Sequence, residues 1–194
     1  MNPYTSLFAN LPRLETDRLV LRPLKMSDAR DMYEYARDPE VSRHVLWNAH
    51  KSIWETRRFL MFAKGQYRRG FPGSFAVELK ESGRMIGTIG FMWVNPDFKS
   101  AEVGYSLSRA YWNRGLMTEA LEETLRFAFD ELRLNRIEAQ HDTQNPASGR
   151  VMSHCGMQYE GIMRQRVVNK GRFCDVAMYS ILKSDWQAKH KQYK

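Results

Sequence analysis

The hydrophobic pattern begins as a strand: residues 14–24 alternate in part, are rich in Leu and Val, and end near Pro23. Ser27 then has the chemistry of a helix N-cap, with Asp28 and Asp31 in a first turn whose dipole favours acids. This helix is expected to end near Arg37, with Pro39 as the stop. Ser52-Ile53-Trp54-Glu55 has the spacing of a capping box and opens a second helix, which ends by Gly70 before the Phe71-Pro72-Gly73 turn. Residues 74–79 and 85–94 read as strands joined at Glu81-Ser82-Gly83, and Asn95-Pro96-Asp97 separates them from a further strand over 101–107. Leu116, Ala120, Leu121, Leu125, Ala128 and Phe129 fall at helical spacing and predict an amphipathic helix over 114–132. A short strand over 136–140 and the Asn145-Pro146 turn lead to a short helix over 147–155, for which Gly156 is a natural C-cap. The last strands, 157–168 and 172–182, turn at Asn169-Lys170-Gly171.

The predicted order is therefore β-α-α-β-β-β-α-β-α-β-β, a mixed α/β layout with no internal repeat or linker. Two helix starts follow strands in its second half, where such sheets place ligands. A length of 194 residues fits one domain over 1–194, and the apolar share of 43% suits a packed core. No apolar run approaches the roughly 20 residues of a membrane span, and Met1 to Asn10 lacks the order of a signal peptide, so a cytoplasmic protein without membrane contact is expected. Two cysteines, Cys155 and Cys174, and scattered histidines supply no metal set, so no metal is expected. Cys155 reads as a core residue.

Net charge is +8, which favours polyanions: nucleic acid, a ribosome or a phosphate-rich cofactor. The basic residues fall in short clusters, Arg57-Arg58, Arg68-Arg69, Arg164 with Arg166, and Lys189 with Lys191 and Lys194, which equally suit ordinary solvated faces.

The segment from Val103 to Leu121 carries the most chemistry. A strand leads through a short loop into a helix start, where unpaired N–H groups and the positive dipole end attract phosphate. Gly115 allows close approach, and Arg109 and Arg114 add charge. The run is neither a dinucleotide fingerprint nor a P-loop. A lone glycine at a helix start also suits a plain turn.

Residues 102–121 resemble the acetyl-CoA-binding motif of the GNAT superfamily of N-acetyltransferases, written Q/R-x-x-G-x-G/A. The likeness is strongest to the branch that acetylates ribosomal-protein N-termini, where E-x-G-Y precedes W-G-K-G-Y-x-T-E-A-L. Glu102-Val103-Gly104-Tyr105 and Gly115-Leu116-Met117-Thr118-Glu119-Ala120-Leu121 carry this likeness. Trp112 stands at the usual Gln/Arg, Asn113 at a glycine and Met117 at the final small residue. Asn135-Arg136-Ile137-Glu138-Ala139, Asn145-Pro146-Ala147-Ser148-Gly149-Arg150-Val151, Gly156-Met157-Gln158-Tyr159-Glu160-Gly161 and the Leu14–Arg22 stretch follow in the family's order.

The resemblance implies a GNAT-like, mostly antiparallel sheet of about seven strands flanked by about four helices. It implies acetyl-CoA as cosubstrate, held by Ser106, Leu107, Ser108, Trp112, Asn113, Arg114, Gly115, Leu116, Met117, Thr118 and Asn145. It also implies direct attack of a primary amine on the thioester in a ternary complex, with Ser106-Leu107-Ser108 amides on the oxyanion. Glu102 and Glu160 are the candidate bases, each of which also suits a surface carboxylate. Ser148 is the candidate acid, since the family's frequent tyrosine is Met152 here; helix capping is its other reading. Tyr33, Tyr35, Phe59 and the tryptophans line a substrate cleft or pack the core. The first two helices and residues 172–175 would flank the acceptor. The acceptor is a protein N-terminus, such as a ribosomal protein's, or a small amine: an amino acid, an antibiotic or a polyamine. A ribosome and a second copy in a homodimer are the further expected partners. A non-catalytic RNA- or ribosome-binding module is the reading from another class.

Overall fold

The computed structural model describes residues 3–191; Lys194 of the C-terminal basic cluster lies outside them. Its strands are β1 (Leu14–Glu15), β2 (Leu19–Pro23), β3 (Ser74–Leu79), β4 (Arg84–Asn95), β5 (Ser100–Leu107), β6 (Arg136–Asp142), β7 (Gln158–Asn169) and β8 (Arg172–Leu182). Its helices are α1 (Thr5–Ala9), α2 (Ala29–Ala36), α3 (Pro39–Ser42), α4 (Ile53–Arg68), α5 (Leu116–Asp130), α6 (Pro146–His154) and α7 (Lys183–Lys191). The strands form one sheet in the order β1-β2-β3-β4-β5-β6-β8-β7. Every neighbouring pair is antiparallel except β5–β6. The mixed, mostly antiparallel layout is the expected one, with eight strands rather than seven and more helices than four.

The extra strand arises because the first predicted strand folds back on itself. Thr16 and Leu19 bond to each other through backbone and hydroxyl groups, so Leu14 pairs with Leu21. The unpredicted helices α1, α3 and α7 are too short or too polar to carry a readable period; of α7 only Trp186 is buried. Pro39 starts α3 instead of stopping a helix: the first position needs no N–H, and Asp38 accepts the Glu40 amide at 3.0 Å. Ser27 is no N-cap. It lies in a 3-10 turn, Met26–Asp28, whose Asp28 carboxylate is buried against Arg22 at 2.8 Å. Ser52 does stand at the N-cap of α4, but the box does not close: Glu55 accepts the Lys51 amide at 2.8 Å.

The core lies between α5 and the sheet. Leu121, Leu125 and Phe129 are fully buried, and Phe127 packs on Phe75 and Phe91 at centroid distances of 5.8 and 6.3 Å. Period two sends Thr88 to the face opposite Phe91. There the Tyr35 hydroxyl of α2 bonds to Thr88 and Ser106, so α2 and α5 cover opposite faces.

Two irregularities shape the middle of the sheet. The β4–β5 register shifts between Phe91 and Trp93, leaving Met92 as a bulge. The β5–β6 pairing ends at Val103–Ala139, although β5 continues to Leu107 and β6 to Asp142. The two strands therefore part, and a wedge opens between residues 104–107 and 140–142.

Candidate active site

Backbone alternation decides which groups face the wedge. The Ser108 amide donates to Ile86 O at 2.8 Å, toward β4. Ser106 shares that side, and Tyr105 and Leu107 present their amides to the wedge. The Leu107 carbonyl agrees, since it accepts the Trp112 indole N–H at 2.8 Å. The Ser106 and Ser108 amides are therefore not oxyanion donors as expected: both point to β4, and that of Ser108 is already taken by Ile86 O. The Ser106 hydroxyl meets Thr88 Oγ1 at 3.1 Å.

Beyond β5, the 3-10 turn Arg109–Tyr111 leads to a loop containing two left-handed residues, Asn113 at φ 59° and Gly115 at φ 72°. These place the start of α5 at Leu116, later than Arg114. Leu116 and Met117 bury their side chains, so only their amides are offered at the helix start, beside those of Gly115 and Thr118. A Cβ at Gly115 would meet only Arg18 Nη2, at 3.5 Å; its φ, not crowding by protein, calls for glycine. Arg114 stacks on Tyr111 at 5.4 Å, and Arg109 is paired with Asp38 at 2.8 Å. The cradle is therefore amide-rich and cationic, as a diphosphate requires.

Its back is clamped from the opposite end of the chain. Glu119 accepts Thr16 Oγ1, the Arg18 amide and Arg18 Nε at 2.5, 2.9 and 2.7 Å. Arg18 Nη1 then donates to Arg114 O at 2.9 Å. Burial opposes ionisation of Glu119, but these hydrogen bonds outweigh it and hold the carboxyl below its ordinary range. All three residues stand within the sequence motifs, but no local signal marks their contact.

Ser148 does not cap α6. Its hydroxyl donates to the Tyr105 hydroxyl at 3.0 Å, which donates to Ser148 O at 2.9 Å. Burial raises the Tyr105 pKa. Tyr105, missed in the sequence, thus joins the splayed strand to the start of α6. Asn145 is the N-cap residue without a side-chain capping bond. Met152 and Cys155 are core residues, at 1% and 0% exposure.

Glu102 and Glu160 both project from the face opposite α5, but they differ. Glu102 accepts Trp93 Nε1 at 2.8 Å and Gln140 Nε2 at 2.9 Å, at the root of the wedge. Glu160 lies three strands along the sheet, beyond β6 and β8, gripped by both terminal nitrogens of Arg136 at 2.8 and 2.6 Å and by Ser180 at 2.6 Å. The Arg136 guanidinium, then Ser180, hold its carboxyl below the ordinary range. That pairing makes Glu160 a weak proton acceptor and supports a structural ion pair in place of a base.

The aromatic residues do not form one cleft. Tyr35 and Trp186 are core, Trp54 and Phe59 are exposed on α4, and Trp93 alone of these touches a candidate catalytic group.

Known proteins share this architecture. A family model described as an acetyltransferase (GNAT) domain matches residues 18–158. The chain is similar to the uncharacterized N-acetyltransferase p20 of Bacillus licheniformis, 32% identical over 173 residues that cover 89% of this chain and 97% of the relative. It is also similar to the ribosomal protein uS5 alanine N-acetyltransferase of Escherichia coli, 27% identical over 190 residues, covering 92% of this chain and 95% of that protein. Among solved structures, a GNAT-family acetyltransferase from Bacillus anthracis matches with a TM-score of 0.80 at 26% identity, over 89% of this chain and 99% of that one.

Proposed function

Because this chain belongs to the GNAT family of N-acetyltransferases, we propose that it moves the acetyl group of acetyl-CoA to the α-amine of a protein N-terminus, with a ribosomal protein as the leading acceptor. The observation that carries this reading is the wedge between β5 and β6, whose open amides lead directly into the left-handed loop at Asn113 and Gly115. The amides of residues 115–118 take the pyrophosphate, and Arg114 adds charge. The pantetheine arm enters the wedge beside Asn145, and the Tyr105 and Leu107 amides stabilise the oxyanion. Ser148 turns its hydroxyl from Tyr105 to hydrogen-bond the departing sulfur.

An α-amine suits this site on chemical grounds. Its reference pKa, near 7.7–8.0 against about 10.4 for lysine, leaves about a tenth of it neutral at pH 7. Glu102, on the acceptor face, attracts the remaining ammonium form and takes its first proton through water. The likeness to a uS5 alanine acetyltransferase and the net charge of +8 support a ribosomal acceptor, docked near RNA phosphate. Family membership sets aside a purely RNA-binding module.

The test is incubation with acetyl-CoA and a panel of N-terminal peptides, ribosomal ones included, read by mass spectrometry. Acetylation at the α-amine is expected. Transfer only to amino acids, antibiotics or polyamines moves the acceptor to a small molecule, and no transfer to any amine overturns the reading.

A further inference from the structure

The open end of the wedge carries an acid–base pair that the reading above leaves unused. His44 lies in the turn after α3, with Nδ1 3.2 Å from Asp142 Oδ2. Asp142 is the last residue of β6, past Ala139, where pairing with β5 ends. Counting on from Val103–Ala139 sets Asp142 level with Ser106, and period two puts both on the Glu102 face. The pair thus lies level with the Tyr105 and Leu107 amides. Glu102 sits about 13 Å back along the strand, at about 3.3 Å per residue.

The chemistry of the pair is directional. A carboxylate only accepts, so Nδ1 carries a proton, and the neutral imidazole has its lone pair on Nε2. Among the described residues no hydrogen bond ends on Nε2. The other Asp142 oxygen accepts the Gln144 amide at 2.8 Å, which fixes the carboxylate. The side chains are 19% and 10% exposed, so the pair is mostly dry with one open edge.

The turn that presents His44 is held on every side. Lys170 Nζ donates to Ser42 O and Val45 O, both at 2.8 Å, and Asn169 Nδ2 to Arg43 O at 3.3 Å. The Asp38–Arg109 pair ties the start of α3 to the turn after β5. Both lips of the wedge are thereby bridged to the segment that carries the imidazole.

We infer that His44, oriented by Asp142, is a catalytic base of the transfer, accepting the second proton that the attacking nitrogen must lose. This rests on the acetyl transfer proposed above. The ammonium gives its first proton to Glu102 through a chain of waters along the wedge, and the neutral nitrogen forms the C–N bond. His44 Nε2 takes the second proton from the tetrahedral adduct. The C–S bond breaks, the imidazolium returns that proton to the thiolate, and Glu102 releases the other to water. Asp142 acts as a positioning residue that stabilises the imidazolium.

The test compares wild type, His44→Gln, His44→Ala and Asp142→Asn on a peptide with a free α-amine that the wild type acetylates, with acetyl-CoA affinity measured by calorimetry. Glutamine can still bond Asp142 but cannot accept the proton. Its kcat is expected to fall about a hundredfold or more, with acetyl-CoA affinity and peptide KM little changed. Asp142→Asn is expected to lose about tenfold or more in kcat. Added imidazole should restore part of the His44→Ala rate, which a merely structural role would not allow. A His44→Gln kcat near wild type, or a loss confined to KM and unmoved by imidazole, overturns the inference while leaving the transferase intact. A wild type silent on every amine overturns the function first, and this inference with it.

Discussion

Glu119→Ala tests the claim that the phosphate cradle is held from behind by the chain's first hairpin. The substitution removes the three hydrogen bonds that end on this carboxylate, from Thr16 Oγ1, Arg18 N and Arg18 Nε. Bonds to a charged group contribute about 1.5–3 kcal/mol each, but the Arg18 side chain is 50% exposed, which limits the guanidinium pair to about 1 kcal/mol or less. Allowing for water replacing part of the rest, the loss is about 2–4 kcal/mol, or roughly 5–12 °C in Tm for a chain of this size. The pH dependence has a definite sign. Hydrogen bonding depresses the folded-state pKa, so the stabilisation is complete above the unfolded value, near 4.3, and is lost as pH falls through the folded value. The gap between wild type and variant in urea should therefore be constant from about pH 6 to 8 and close below about pH 4. Freeing Arg18 also releases its bond to Arg114 O, so acetyl-CoA affinity should fall about three- to tenfold. A variant as stable as wild type at pH 7, or a gap that does not change on acidification, would refute the clamp.

Further outcomes follow from the same geometry. Gly115→Ala should cost about 1–2 kcal/mol by denaturant titration, because the left-handed backbone rather than crowding sets the penalty, and Gly115→Asn should cost less. Asp28→Ala should cost about 3–5 kcal/mol, since Arg22 is left buried with Glu78 as its remaining carboxylate and the Pro23 carbonyl beside it; a urea midpoint close to wild type would contradict this. An aromatic disulfide reagent should titrate Cys174 alone in the native chain. Cys155 should react only after unfolding, because burial leaves it 0% exposed and pushes its thiol up to about 12.

What the sequence reveals depends on how far apart the interacting residues lie. The period of Leu116, Ala120, Leu121 and Leu125 is local, and α5 forms where it predicts. The Glu81-Ser82-Gly83 turn is likewise local, and Gly83 adopts its left-handed φ of 66°. The parting of β5 and β6 is tertiary: the sequence pattern ends the Arg136 strand at Gln140, and no local signal marks a strand that runs on to Asp142 paired with β8 but not with β5. Thr16 meets Glu119 across 103 positions, and His44 meets Asp142 across 98. In one sequence each of these is simply a polar residue in a basic chain. Glu160 shows the converse, since the motif holding it is legible but its ion pair with Arg136 is visible only in the fold.

Several departures from ordinary backbone economy lie along one line through the molecule, apart from the bulges of β3 and β7. Met92 bulges from β4 with its side chain against Gly104, the first residue of β5 beyond the pairing. Across the gap, Gln140 is the first residue of β6 beyond it, and its Oε1 is buried without a hydrogen-bond partner among the described residues. The line continues through the wedge-facing amides to Asn113 and Gly115, both left-handed. Each feature costs stability: a missing ladder, an unmet acceptor, a disfavoured φ. Around them the fold is tightly satisfied, by the Phe75–Phe127–Phe91 cluster on one side and the Arg22–Asp28–Glu78 network beyond it. Where these costs fall between a strand end and a helix start they leave unmet groups in a row, and it is these that an extended ligand would complete with hydrogen bonds under the proposed reading.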